Sequence, residues 1–183
     1  MGREAYGGHY EKQRKVEKTT LVGWLCRRTA LSAEGGVKGR EMKNESAENP
    51  VLVIPCSGIG KVHGLIGREA TYLVTDELAP EKTATLCLAL LVKGDSEAVN
   101  AVRTHVCITI DGCAKACAQK NVQIAGGRVT KAFQAAEAFR DFRGAKPGNA
   151  TALTEEGWTI TRHIAEAVVC EAARLRGDEE AAR

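Results

Sequence analysis

The chain has 183 residues, 27% of them charged, and a formal net charge of +3, a length that suits one ordinary domain able to bury a core without disulfide staples. Residues 1 to 50 carry 10 Lys and Arg against 7 acids and the remainder carries 16 of each, so the folded part is expected to be neutral, which argues against the clustered basic surface of a nucleic-acid partner. No apolar run reaches the roughly 18 to 20 residues of a membrane span, and the first strong apolar segment follows fifty mostly polar residues, unlike a signal peptide; the expectation is a soluble cytoplasmic protein with no membrane partner.

Residues 1 to 49 contain two Gly pairs, many charges and one short apolar patch around Leu21 to Leu25. They read as a poorly ordered extension, and Met42 would begin a more compact product. Cys26, beside Arg27 and Arg28, reads as an incidental exposed thiol. Residues 50 to 183 read as a single α/β domain. Val51 to Pro55 form a buried strand, and a Gly-rich loop from Cys56 to Gly64 leads into a helix near 65 to 79 that stops before Pro80. A second strand is expected at about 83 to 87. After Gly94, Asp95 or Ser96 caps a helix carrying Ala98, Val99 and Val102 inward. Strand three is expected at about 105 to 110.

Asp111 and Gly112 then turn the chain into a helix from Cys113 to about Asn121. A fourth strand lies at either Gln123 to Ala125 or Arg128 to Thr130, split by Gly126 and Gly127. Residues 131 to 142 are helical or extended, and Pro147 to Asn149 form a loop. Thr154 caps a long helix with Glu155 and Glu156 in its first turn and Ile160, Ile164, Val168 and Leu175 along its apolar stripe. The alternation predicts a three-layer open sheet, mostly parallel and Rossmann-like, closed by a long C-terminal helix.

Seven cysteines in a reducing compartment bind metal or do redox work more often than they crosslink. Three of them, Cys56, Cys87 and Cys113, each follow a strand-like segment. In a parallel sheet all three would lie along the carboxyl edge, where such sheets build ligand sites. A helix starting at Cys113 would add Cys117 to the same face one turn later. Four thiolates in a tetrahedron suit zinc, and the same donor set holds an iron-sulfur cluster or does thiol-based redox and sulfur transfer. Cys107, inside strand three, and Cys170, on the last helix, read as packed in the core. His63 and His105 are further ligand candidates, His63 the better placed.

The Gly58-x-Gly60-x-x-x-Gly64 spacing at a strand-to-helix junction resembles a phosphate loop, but Val62 stands where a P-loop has Ser or Thr after the lysine. Cys87 stands where a dinucleotide site has an acidic residue. The reading adopted is that Gly58 and Gly60 let the backbone wrap a metal or anion held by Cys56, with Lys61 offsetting anionic charge. Asp111 is expected to cap the Cys113 helix rather than ligate, and Cys113, at that helix start, is expected to be the most reactive thiol.

Three stretches, Ile-Pro-Cys56-Ser-Gly-Ile-Gly-Lys61, Leu86-Cys87-Leu88-Ala89-Leu90-Leu91, and Ile-Asp111-Gly112-Cys113 with Cys117 and Asn121, resemble the DGC-domain proteins over about residues 51 to 176. The family takes its name from the Asp-Gly-Cys tripeptide and is described as having four chelating cysteines. The resemblance implies Cys56, Cys87, Cys113 and Cys117 as metal ligands. It supplies no reaction.

Overall fold

Along the first strand, alternate residues face opposite apolar layers, and this is what makes the domain three-layered. Val51 and Val53 enter one core while Leu52 and Ile54 enter the other. The structure, a computed structural model, describes residues 49 to 177; the expectations for residues 1 to 48, including those on Cys26 and Met42, fall outside it. Strand β1 (Val51–Pro55) leads to helix α1 (Val62–Tyr72), which runs on through a π-helical segment, Leu73–Leu78, to the stop at Pro80. Next come β2 (Thr83–Ala84), α2 (Leu88–Lys93), α3 (Ser96–Thr104) and β3 (Cys107–Asp111). The chain continues through α4 (Cys117–Ile124), β4 (Val129–Gln134), the short α5 (Ala135–Ala138) and the 22-residue α6 (Glu155–Arg176).

The four strands are all parallel, in the order β2-β1-β3-β4. The chain therefore moves outward from β1 to β2, returns past β1 to β3, and continues outward to β4, which puts a topological switch point between β1 and β3. One face of the sheet packs Ile108, Ile110 and Val53 against Ile66, Ala70, Trp158, Ile160, Ile164 and Val168 of α1 and α6. The other face packs Leu52, Ile54 and Cys107 against Leu88, Leu91, Ala98, Val102 and Val122 of α2, α3 and α4. Each buried Val, Leu or Ile among them contributes about 1.5 to 3 kcal/mol, so the sandwich has ample cohesion of its own.

The helix caps follow the sequence signals. The Asp95 carboxylate accepts the Ala98 N–H at 3.1 Å, and the Thr154 hydroxyl accepts the Gly157 N–H at 3.2 Å. Gly177 ends α6 at φ +76°, a left-handed conformation that glycine adopts without steric penalty.

Several expected boundaries move. β2 pairs only over Thr83 and Ala84, and Thr85 to Cys87 continue as unpaired chain. Helix α2 was not anticipated from the sequence. Of the two alternatives for the fourth strand, Gln123 and Ile124 end α4, while Val129 and Thr130 open a strand that reaches Gln134.

The largest shift concerns the third strand and the helix after it. Cys113 is not helical; it sits in a bend, and α4 begins at Cys117. The cause is Asp111, whose carboxylate accepts the N–H groups of Ala118 at 2.7 Å and Gln119 at 3.1 Å and so fixes the first helical turn four residues later than the Asp-Gly turn suggested.

Candidate metal centre

β1 and β3 end side by side. Pro55 pairs with Ile110, and the Cys56 N–H donates to the Ile110 carbonyl at 3.0 Å, which brings Cys56 and Asp111 to the same level on the same face of the sheet. The next residue completes the junction: the Gly112 N–H donates to Cys56 Sγ at 3.3 Å. Burial is the dominant influence on the Cys56 thiol and pushes its pKa up, the Gly112 and Gly58 amides pull it down, and the Asp111 carboxylate and the Cys117 thiol push it up again, for a net rise. Cys56, Asp111 and Gly112 therefore meet at one place, the switch point, and the helix that begins at Cys117 is tied to it through the Asp111 carboxylate.

Glycines make that junction compact. Gly112 abuts the first turn of α1, where a methyl group on it would lie 2.8 Å from Gly64 N and Cα and 3.1 Å from the His63 carbonyl carbon. Gly58, at φ +71°, lies against Gly64 from the other side, 2.7 Å from Gly64 O to a Cβ built on Gly58. Three backbones meet with no room for side chains. Gly60, at φ +85°, has open space around it, and Lys61 is the exposed N-cap residue of α1. Gly58, Gly64 and Gly112 thus serve backbone contact between the Cys56 loop, α1 and the Asp-Gly turn.

The remaining candidates occupy varied positions. Cys117 is exposed at the first position of α4, Cys113 is half-buried in the bend before it, and Cys87 is exposed at the N-cap of α2, one strand outward beyond β2. Among the described residues no group of three or more His, Cys, Asp or Glu side chains stands close enough to hold a metal ion. The convergence of four sulfurs on one point is therefore not formed: the capped start of α4 leaves Cys113 in the bend, and α2 carries the chain away immediately after Cys87. The donors fit a soft cation by their chemistry, and their present spacing does not enclose one.

Cys107 is fully buried, its thiol lies 3.5 Å from the His105 carbonyl and 3.6 Å from the Val102 carbonyl, and burial pushes its pKa to about 11; it is a core residue, as its position in β3 predicts. Cys170 is half-buried on α6, and Cys56, Cys87, Cys107, Cys113 and Cys117 are free thiols. His63 packs its ring on Phe139 with centroids 4.6 Å apart, and burial, followed by the Lys61 charge, lowers its pKa. His105 Nδ1 lies 2.9 Å from the Ala101 carbonyl at the end of α3. Among the described residues neither histidine belongs to a metal-holding group.

A model of the DGC domain matches residues 52–164. The chain belongs to the DGC domain family. No curated protein and no solved structure matches it. The DGC tripeptide itself is the junction described above: Asp111 caps α4, Gly112 donates to Cys56 and packs on Gly64, and Cys113 follows in the bend. The sequence anticipated the cap by Asp111. It missed Gly112 as a donor to Cys56, a contact across 56 residues that no local pattern signals.

Proposed function

We propose that this DGC domain is a cytoplasmic metal-binding protein in which Cys56, Cys87, Cys113 and Cys117 hold one zinc ion at the carboxyl edge of the sheet. The observation that carries the reading is the position of the thiols. Cys56 and the Asp111-Gly112-Cys113 turn end the two strands flanking the switch point, where open parallel sheets place their ligands. Cys117 opens the adjoining helix and Cys87 follows the next strand outward.

Thiolates are the preferred donors of zinc, and amides bonded to them stabilise the negative charge that a thiolate-rich zinc site retains. Cys56 has two such amides, from Gly58 and Gly112. The Gly58, Gly60 and Lys61 loop supplies backbone donors and a cation on the same edge. The domain has two apolar cores without a metal, so zinc is not needed as a folding staple; a carrier or transfer role suits the exposed Cys87 and Cys117 better. Because the thiols do not enclose an ion as they stand, binding is coupled to ordering of the segments that bear them.

Anaerobic purification of the full chain, with metal analysis by mass spectrometry and a visible spectrum, tests the reading. One zinc per chain in colourless protein is the expected result. Bound iron with visible cluster absorption would replace zinc by an iron-sulfur cluster on the same cysteines, and a chain that neither carries nor takes up a thiophilic metal overturns the proposal.

A further inference from the structure

The Asp-Gly segment touches the thiol site at both of its ends. Asp111 is 1% exposed, and its two carboxylate oxygens are engaged by two consecutive amides of α4, Ala118 to Oδ1 and Gln119 to Oδ2. These are the residues directly after Cys117. At the other end of the same short segment the Gly112 N–H reaches Cys56 Sγ. No side chain at the N-cap position does this work, because Ala116 stands there, in a left-handed conformation at φ +51° that disfavours residues with a Cβ. The start of α4 thus depends on a carboxylate delivered from β3 rather than on a local cap.

We propose that Asp111 is a positioning residue of the thiol site: by binding the first turn of α4 while standing beside Cys56 at the end of β3, it holds Cys117 and Cys56 in register as a dithiol that one thiophilic centre can bridge. This deepens the metal-binding reading and rests on it for its biological meaning, but the dithiol geometry can be examined without zinc. Without the carboxylate, the Ala118 and Gln119 amides lose their acceptors and the first turn of α4 frays. Cys117, the first residue of that turn, then loses its fixed place relative to Cys56. Asparagine keeps one of the two oxygen acceptors, enough for the Ala118 N–H that begins the turn, and so should preserve the alignment while leaving Gln119 without its acceptor.

The probe is phenylarsine oxide, whose arsenic(III) binds two thiols by forming two As–S bonds, with the oxygen and the two thiol protons leaving as water. The full-length protein is treated with free thiols reduced, the adduct is located by mass spectrometry, and affinity is read by competition with a small dithiol. The expected result is a bridge between Cys56 and Cys117 in the native chain, weakened about tenfold or more in Asp111→Ala, the usual size of an effect on a residue that orients a ligand. Asp111→Asn should stay within about threefold of the native chain, since the acceptor for Ala118 is retained.

A general loss of stability would weaken both variants in proportion to their melting temperatures; the split between Ala and Asn at the arsenical is the readout that a merely structural role would not produce. If Asp111→Ala does not fold, amide exchange at Ala118 and Gln119 in Asp111→Asn replaces it: protection at Ala118 and bridging retained together is the expected result, and bridging that is lost while Ala118 stays protected, or kept while it is unprotected, overturns the proposal. Native bridging affinity in folded Asp111→Ala, or a bridge that excludes Cys117 in the native chain, overturns the proposal. Zinc uptake that is unchanged in folded Asp111→Ala would remove Asp111 from the site and leave the metal reading standing. An arsenical bridge at Cys56 and Cys117 in a chain that takes up no metal would do the reverse.

Discussion

Replacing Gly112 by Ala is the sharpest test of the junction, because the cost comes from packing alone. The backbone of Gly112 lies outside the left-handed region, so alanine fits its conformation, but the new methyl would stand 2.8 Å from Gly64 N and Cα and 3.1 Å from the His63 carbonyl carbon. All three are backbone atoms, and none can rotate away. Relief requires moving the first turn of α1 or the end of β3, and forced shifts of this kind in a packed interior cost about 1 to 3 kcal/mol. For a folded unit of about 130 residues, 2 kcal/mol lowers the melting temperature by about 7 °C.

Gly60→Ala is the control. It meets no atom within 4 Å but adopts φ +85°, so its cost is the conformational term of about 1 kcal/mol, about half the shift. Differential scanning calorimetry of the two variants and the native chain gives the comparison. The reasoning fails if Gly112→Ala melts within 1 to 2 °C of the native protein, or if Gly60→Ala is the more damaging change.

Thiol alkylation of the reduced, metal-free protein at neutral pH should label exposed Cys87 and Cys117 first and Cys107 last, since Cys107 is buried with its pKa at about 11; peptide mapping over a time course reads the order, and early labelling of Cys107 would contradict the core assignment. This replaces the expectation that Cys113 reacts first, which depended on a helix beginning there. Thr154→Ala removes the hydroxyl that accepts the Gly157 N–H and should destabilise the domain by about 1 kcal/mol in urea unfolding, with no change in m-value. His63 has a lowered pKa in the folded state, so the unfolded chain takes up its proton first. Stability from this group is complete above the unfolded value of 6.5 and declines as the pH falls from there through the folded pKa. His63→Gln should flatten the acid side of the stability curve, and an unchanged slope below pH 6.5 would refute the assignment.

Much of the fold was legible because the strongest signals are local. The run Val51 to Pro55, the caps Asp95 and Thr154, and the stripe of α6 each depend on residues close in sequence, and each took the expected form. What escaped depends on contacts made at a distance. The short helix α2 follows directly on the chain after β2, and its six apolar-rich residues, Leu88 to Lys93, are too few to separate a helical from an extended pattern. β2 pairs with β1 over Thr83 and Ala84 alone, a register that the apolar pattern of the segment does not carry.

Cys113 was misplaced for the same reason. A Cys-x-x-x-Cys spacing after an Asp-Gly turn reads as one helical turn, yet the start of α4 is chosen by a carboxylate seven residues before Ala118, which a periodicity argument does not weigh. The candidate thiols were all visible in the sequence. Their distances were not, because those distances are set by where α2 and α4 begin.

X-ray absorption at the zinc edge of the zinc-loaded full-length protein tests the central claim most directly, since it counts the sulfur neighbours of the metal. The account predicts one zinc per chain with a shell of four sulfurs at about 2.3 Å, reduced to three in Cys87→Ser. A shell dominated by nitrogen or oxygen at about 2.0 to 2.1 Å, or four sulfurs that persist when Cys56 is replaced by Ser, would contradict it.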